Sequence, residues 1–113
     1  MSETEAGRRL PELEVVARGM IFSAEDAPAE EAVAYFTSLV PLASGTWLSG
    51  WQLGPGKQTP NTIGLARSCD QGESWQRLSH SFETSWQGTP GSFLAAEMVE
   101  AEPGRLLLFT TWV

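Results

Sequence analysis

Several residue types that build common functional sites are scarce in this chain of 113 residues. Cys69 is the only cysteine, so no disulfide can form within the chain. His80 is the only histidine, and one histidine with one distant cysteine cannot form a zinc site; we therefore expect no metal and no cofactor. Lys57 is the only lysine and the net charge is −7. Binding to nucleic acid or to anionic lipid requires clustered cations, so both partners are excluded.

Long apolar runs are also absent. No segment approaches the roughly 20 apolar residues that span a membrane. Residues 1–14 are polar and lack the apolar core of a signal peptide. We therefore expect a cytoplasmic chain with no membrane partner. The surplus acidic residues lie in 3–14 and 25–31, where a solvated tail and a solvated loop account for them.

Short apolar runs separated by glycine and proline dominate the rest of the chain, which is 42% hydrophobic with 11 glycines and 7 prolines. This pattern is typical of an all-β protein. The predicted strands are residues 13–23, 33–42, 46–53, 61–69, 74–78, 92–101 and 105–113. We expect residues 1–12 to be flexible and 24–32 to be a loop, with a single helical turn as the alternative. Trp47 and Trp51 are four residues apart, which places them on the same face of a strand.

A short motif at residues 68–75 follows the pattern S-x-D-x-G-x-[ST]-W, with five fixed positions. They are Ser68, Asp70, Gly72, Ser74 and Trp75. The aspartate can accept hydrogen bonds from backbone N–H groups of its own turn. The glycine can adopt the positive φ that closes a tight hairpin. The tryptophan offers a large apolar surface that can hold the hairpin against a sheet.

This motif resembles the Asp box of the sialidase-like (BNR-repeat) β-propellers, and the order of the predicted strands is similar to that family over residues 13–113. The resemblance implies an all-β fold in which 33–78 form one complete four-stranded antiparallel blade. Residues 92–113 would begin the next blade, and 13–23 would be the outer strand of a closing blade, in a six-bladed propeller. The chain stops inside an apolar strand, so we expect an N-terminal fragment. The resemblance also implies that the Asp box is structural.

The family resemblance further implies a divergent, exo-sialidase-like glycoside hydrolase acting on glycans. Two departures count against classical activity. Residues 35–39, where the family carries its first arginine, contain no arginine, and residues 54–60 contain no aspartate for the acid/base position. Catalytic residues are therefore not assigned, and the fragment alone is expected to be inactive. The alternatives are a non-catalytic carbohydrate-binding propeller, a protein-interaction propeller, or a small stand-alone β-sandwich.

The polar connection at 79–91 holds the candidate ligand-facing residues. In a propeller of this type it leads to the ligand-binding end. Trp86 can stack on a sugar face, and His80 with Glu83 can bond sugar hydroxyls. A packed loop with a solvated histidine is the structural alternative.

A faint internal echo also relates two segments of the chain. Residues 39–51 and 96–112 each contain an apolar strand, a glycine turn, a second apolar strand and a tryptophan. The spacing of about 60 residues is long for a propeller repeat, which commonly runs about 40–50.

Overall fold

The computed structural model describes residues 11–23, 25, 27–56, 60–80 and 82–113. The described residues form antiparallel sheets with almost no helix, so the all-β prediction is confirmed. Most of the segment predicted to be flexible, residues 1–10, lies outside the described residues, as does Lys57. A 3₁₀ turn at Ala29–Glu31 is the helical alternative considered for 24–32.

The part of the chain that the structure describes contains six strands in two sheets. They are β1 (Val33–Pro41), β2 (Trp47–Gly54), β3 (Thr62–Ser68), β4 (Gln76–Leu78), β5 (Phe93–Glu102) and β6 (Arg105–Trp112). The first four form one sheet in the order β1-β2-β3-β4, with every neighbouring pair antiparallel. The last two form a separate hairpin. Six predicted strands thus occur close to their expected bounds.

The prediction of a seventh strand over residues 13–23 is wrong. The structure assigns no strand there, and Leu13 is 97% exposed. The residues are apolar and β-branched enough for a strand, but a strand also needs a neighbour for its backbone hydrogen bonds. The segment finds no such neighbour among the described residues. The C-terminal end of this segment contacts the core through side chains instead. Ile21 and Phe22 pack against the core, and the ring centroids of Phe22 and Trp51 are 5.3 Å apart.

The four-stranded sheet has two faces of different character. Face A carries Trp51, Leu53 and Ala66, which form the buried core together with Ile21, Phe22 and Trp75. Trp51 lies opposite Gly64 of β3. A Cβ on this glycine would stand 2.6 Å from the indole, so only glycine lets the ring lie flat on β3. Trp47 lies four residues before Trp51 on β2. Because side chains alternate between the faces of a strand, Trp47 also lies on face A, as its spacing predicts.

The two hairpins β1–β2 and β5–β6 have the same register. Leu39 pairs with Ser49 in the first hairpin, and Met98 pairs with Leu108 in the second, so each counterpart lies 59 residues later. The same offset relates every pair from Ala34↔Leu53 to Pro41↔Trp47 to a pair of the second hairpin. The similarity between residues 39–51 and 96–112 in the sequence therefore corresponds to a repeated pattern of backbone pairing.

Two irregular features of the first hairpin recur at the same offset in the second. β1 carries a register shift between Tyr35 and Ser38, and β5 carries one between Leu94 and Glu97; β5 has a further shift between Glu100 and Glu102 that has no counterpart in β1. The first residue of each bulge is left-handed without being glycine: Phe36 has φ 52° and Ala95 has φ 61°. Each turn ends in a left-handed glycine, Gly45 with φ 95° and Gly104 with φ 83°. Left-handed non-glycine residues are uncommon, so their occurrence at equivalent positions of the two hairpins indicates a repeated unit.

The second hairpin packs on the other side of the sheet, face B, which carries Gly50 and Gln52. A Cβ on Gly50 would lie 3.2 Å from Cε of Met98. The backbone N–H of Ala95 donates to Oε1 of Gln52 at 3.0 Å, and the N–H of Met98 donates to Oγ of Ser38 at 3.3 Å. Met98 lies on the face of the second hairpin that is equivalent to face A. The two repeats are thus stacked with face A of the second on face B of the first.

Candidate functional site

The turn between β3 and β4 contains the Asp-box motif, and its aspartate is bonded within the turn. Oδ1 of Asp70 accepts hydrogen bonds from the backbone N–H of Ser74 at 2.9 Å and from Oγ of Ser68 at 2.7 Å, while Oδ2 accepts from Oγ of Ser74. The hydroxyl and N–H of Ser74, followed by the hydroxyl of Ser68, lower the pKa of Asp70 from 3.8 to about 2. The carboxylate is therefore ionised and occupied in holding the turn.

The other motif residues complete the same turn. Oγ of Ser68 accepts from the backbone N–H of Gly72 at 2.8 Å, and Gly72 has φ 89°. Nε1 of Trp75 donates to the carbonyl of Gly72 at 3.2 Å. A Cβ on Gly72 would lie 3.0 Å from the ring of Trp47. The turn therefore packs between Trp47 and Trp75. The thiol of Cys69 is free and exposed on this turn.

The 79–91 connection contains a tight turn that presents Trp86 to solvent. The backbones of Trp86 and Thr89 exchange two hydrogen bonds of 2.9 Å. The two residues between them, Gln87 and Gly88, have φ of 51° and 79°, which is the pattern of a type I′ turn. The Trp86 side chain is 61% exposed. A large aromatic ring therefore stands exposed on a hydrogen-bonded turn.

An aromatic cavity of about 370 Å³ lies beside this turn. Its lining residues are Glu83, Ser85, Trp86, Phe93 and Trp112. The rings of Trp86 and Trp112 meet edge to face with centroids 6.0 Å apart. Nε1 of Trp112 donates to the carbonyl of Thr84 at 2.7 Å, which ties the connection to β6. Gly91 permits this arrangement, because a Cβ there would overlap the Trp112 indole.

Glu83 supplies the charge in this cavity. Its Oε1 accepts from the backbone N–H of Ser85 at 2.9 Å and from the Ser85 hydroxyl at 2.7 Å. These two bonds lower the pKa of Glu83, so the group is a carboxylate at neutral pH. The bonds also fix its orientation toward Ser85. Glu83 can therefore serve as an oriented hydrogen-bond acceptor.

The structure brings two of the three predicted ligand-facing residues together. Glu83 and Trp86 line the same cavity, whereas His80 does not line it and packs edge-on against Phe82 at 4.6 Å. The sequence reasoning missed Trp112 and Phe93, which were assigned only to strands. No local pattern marks these two residues, because their pairing depends on the register of β5 with β6, which two register shifts alter.

The part of the chain that the structure describes holds no group of three or more His, Cys, Asp or Glu side chains able to bind a metal ion. None of its helices is long and apolar enough to cross a bilayer. The aromatic cavity is thus the candidate site that combines stacking surface with an oriented polar group.

No protein-family model matches the chain, and no significant match was found among curated proteins or among solved structures.

Proposed function

We propose that this chain forms two consecutive repeats of an Asp-box β-propeller and that its 79–91 connection binds carbohydrate. The observation that carries the fold proposal is the common register of β1–β2 and β5–β6, including bulge and turn, at an offset of 59 residues. Stacked blades with the same internal pairing are how propellers are built. The β3–β4 turn adds the Asp-box motif in a closed, hydrogen-bonded form.

The aromatic cavity supports a carbohydrate ligand on chemical grounds. A sugar ring has an apolar face of C–H groups and an edge of hydroxyls. The exposed ring of Trp86 offers the apolar surface, and Trp112 stands at 6.0 Å to form a corner with it. Oxygens of Glu83 and Ser85 provide polar groups at the same place. A cavity with aromatic walls and a few oriented polar groups is the usual form of a small-molecule site.

Binding is better supported than hydrolysis. Most glycosidases use two carboxyl groups on opposite sides of the scissile bond, whereas sialidases use a tyrosine as the nucleophile; in either case the carboxyl group that acts as the acid must be protonated. Tyr35 is the one tyrosine of the chain, and it does not line this cavity. Glu83 is the carboxyl group that lines this cavity, and its lowered pKa keeps it ionised. A divergent, sialidase-like glycoside hydrolase remains a prediction from the family resemblance, as does a protein-interaction propeller.

Ligand-observed NMR on the 113-residue chain tests the proposal. Saturation transfer to sialyllactose, lactose, N-acetylglucosamine and mannose would be measured with Trp86→Ala and with His80→Ala as the matched control. We expect transfer to at least one sugar, loss of that signal in Trp86→Ala and retention in His80→Ala. A stacked aromatic contact contributes about 0.5–1.5 kcal/mol, so a loss of affinity of about 2- to 13-fold is expected.

Two results would contradict the binding proposal. One is the absence of transfer to every sugar from a chain with a native circular dichroism spectrum. The other is equal loss in Trp86→Ala and His80→Ala, which would place the ligand elsewhere. Release of free sialic acid from sialyllactose would favour the hydrolase over a simple binding site.

A further inference from the structure

The aromatic cavity beside the 79–91 connection has a charge character that sugar binding alone does not require. Three of its lining residues are aromatic, namely Trp86, Phe93 and Trp112, and Glu83 is acidic. No lysine, arginine or histidine from the described part of the chain lines it. The cavity therefore combines several aromatic rings with one negative charge and offers a ligand no positive charge.

The aromatic walls belong to the side of the second hairpin that packs on the first repeat. Met98 approaches Gly50 of the first repeat and pairs with Leu108 of β6. Trp112 lies four positions after Leu108, so it lies on the same face of β6 as Leu108. Phe93 pairs directly with Trp112 and shares that face. The cavity is thus formed at a packed face of β5–β6 and not at the opposite face.

The two indoles form a corner that favours a cation. The planes of Trp86 and Trp112 are inclined by 69° with the ring centroids 6.0 Å apart. Nε1 of Trp112 donates to the carbonyl of Thr84, and the backbone of Trp86 is bonded to that of Thr89, so both rings are carried by hydrogen-bonded groups. The face of an aromatic ring attracts a cation within about 6 Å of its centroid, and tryptophan attracts it best. An ammonium group gains from this corner what a neutral group does not.

Glu83 places a negative charge at the same cavity. Its Oε1 accepts from the backbone N–H and the hydroxyl of Ser85 at 2.9 and 2.7 Å, which orients the carboxylate. Among the described residues, no ion pair joins Glu83 to a cationic side chain. The charge of this carboxylate is therefore left for a ligand to neutralise.

We propose that the cavity selects sugars that carry a protonated amino group, such as 2-amino-2-deoxyhexoses, over neutral and acidic sugars. This inference rests on the proposed carbohydrate-binding function and names the class of sugar. The C–H face of the sugar lies on Trp86, and the ammonium group is shared between the indole corner and Glu83. The carboxylate of an acidic sugar meets Glu83 as a like charge, on a chain whose net charge is −7.

Titrations of the 113-residue chain with sugars of different charge test the inference. Glucosamine, glucose and N-acetylglucosamine would be compared at about pH 6, because they differ at C2 and only glucosamine is charged. A cation–π contact and an exposed ion pair together predict about 3- to 30-fold tighter binding of glucosamine than of the two neutral sugars. Sialyllactose is expected to bind more weakly than lactose. Raising sodium chloride from about 20 mM to about 500 mM should reduce the preference for glucosamine.

Two matched variants locate the origin of the preference. Glu83→Gln keeps an oxygen that can accept from Ser85 but removes the charge. It should weaken glucosamine binding by about 2- to 5-fold and leave N-acetylglucosamine binding unchanged. Glu102→Gln removes the same charge at an exposed position outside the cavity and should leave both affinities unchanged. If Glu83→Gln loses its near-ultraviolet circular dichroism, the salt dependence of the unmodified chain serves as the test.

The possible failures of the inference and of the proposed function are distinguishable. Equal affinity of the unmodified chain for glucosamine, glucose and N-acetylglucosamine would overturn the inference and leave carbohydrate binding in place. Equal weakening in Glu83→Gln and Glu102→Gln would also overturn it, because the preference would then come from the net charge. Absence of binding to every sugar, charged or neutral, by a folded chain would overturn the proposed function as well.

Discussion

Replacing Gly64 by alanine tests the packing of the core directly. A Cβ at this position would lie 2.6 Å from Cε2, 2.7 Å from Nε1 and 2.9 Å from Cζ2 of Trp51. Trp51 is 1% exposed, and Phe22 packs against its ring, so the indole has little room to move away. Overpacking of this kind costs about 1–3 kcal/mol. Removing a glycine from a strand returns about 0.5–1 kcal/mol, so the middle of the two ranges gives a net loss of about 1 kcal/mol.

Thermal unfolding followed by circular dichroism measures this effect. A loss of 1 kcal/mol lowers Tm by about 4 °C in a domain of this size. Gly19→Ala is the matched control, because the nearest atom to its added Cβ is a carbonyl oxygen at 3.5 Å, an ordinary contact. An unchanged Tm in Gly64→Ala would refute the close packing of Trp51 on β3.

A second substitution shows whether the loss comes from the indole. Trp51→Phe removes Nε1, a buried donor that has no hydrogen-bond partner among the described residues, together with the ring atoms nearest Gly64. The double variant should therefore lose less stability than the sum of the two single variants. Neighbouring residues in contact show such coupling at about 0.5–3 kcal/mol. Strict additivity would mean that Gly64→Ala acts through the backbone rather than through Trp51.

Three further substitutions test other parts of the structure. Asp70→Asn should lower Tm, because it removes the stabilisation that comes from the lowered pKa of Asp70. In the unmodified chain this stabilisation is present above pH 3.8 and disappears as the pH falls through about 2. The Tm difference between the two chains should therefore shrink between pH 6 and pH 2. Gly91→Ala should lower Tm by an overpacking cost of about 1–3 kcal/mol and displace Trp112, and an unaltered near-ultraviolet spectrum would contradict this. Ala95→Gly relieves a left-handed φ of 61° that costs about 1–2 kcal/mol, so a small rise in Tm is expected, and a fall would show that the methyl group packs usefully.

Local composition was sufficient to predict most of the strands. β2 and β3 are apolar runs bounded by glycine, proline or asparagine, and both occur close to their predicted bounds. The Asp-box turn was predictable because its hydrogen bonds join residues within seven positions of each other. Residues 13–23 show the limit of this reasoning, since a strand depends on a partner that a sequence window does not contain.

The register of the repeat could not be predicted from the residues. Phe36 and Ala95 occupy the same left-handed position in their bulges, yet neither residue type favours that conformation. Only the glycines at 45 and 104 indicated from the sequence where the two equivalent turns lie. Only part of the lining of the aromatic cavity was predicted. Trp86 and Glu83 are close together in the sequence, whereas Trp112 lies 26 positions after Trp86, on β6.

The meander order of the sheet has a consequence for the kinetics of folding. Each strand pairs with the strand that precedes or follows it, from β1 to β4 and again from β5 to β6. Closing such hairpins requires only short loops, and chains with local contacts fold faster than those with distant pairings. The contacts of Met98 with Gly50 and Ser38 span about 48 to 60 positions and must form across the 79–91 connection. Docking of the second hairpin is thus the step with the greatest loop-closure entropy, and we expect it to limit the folding rate.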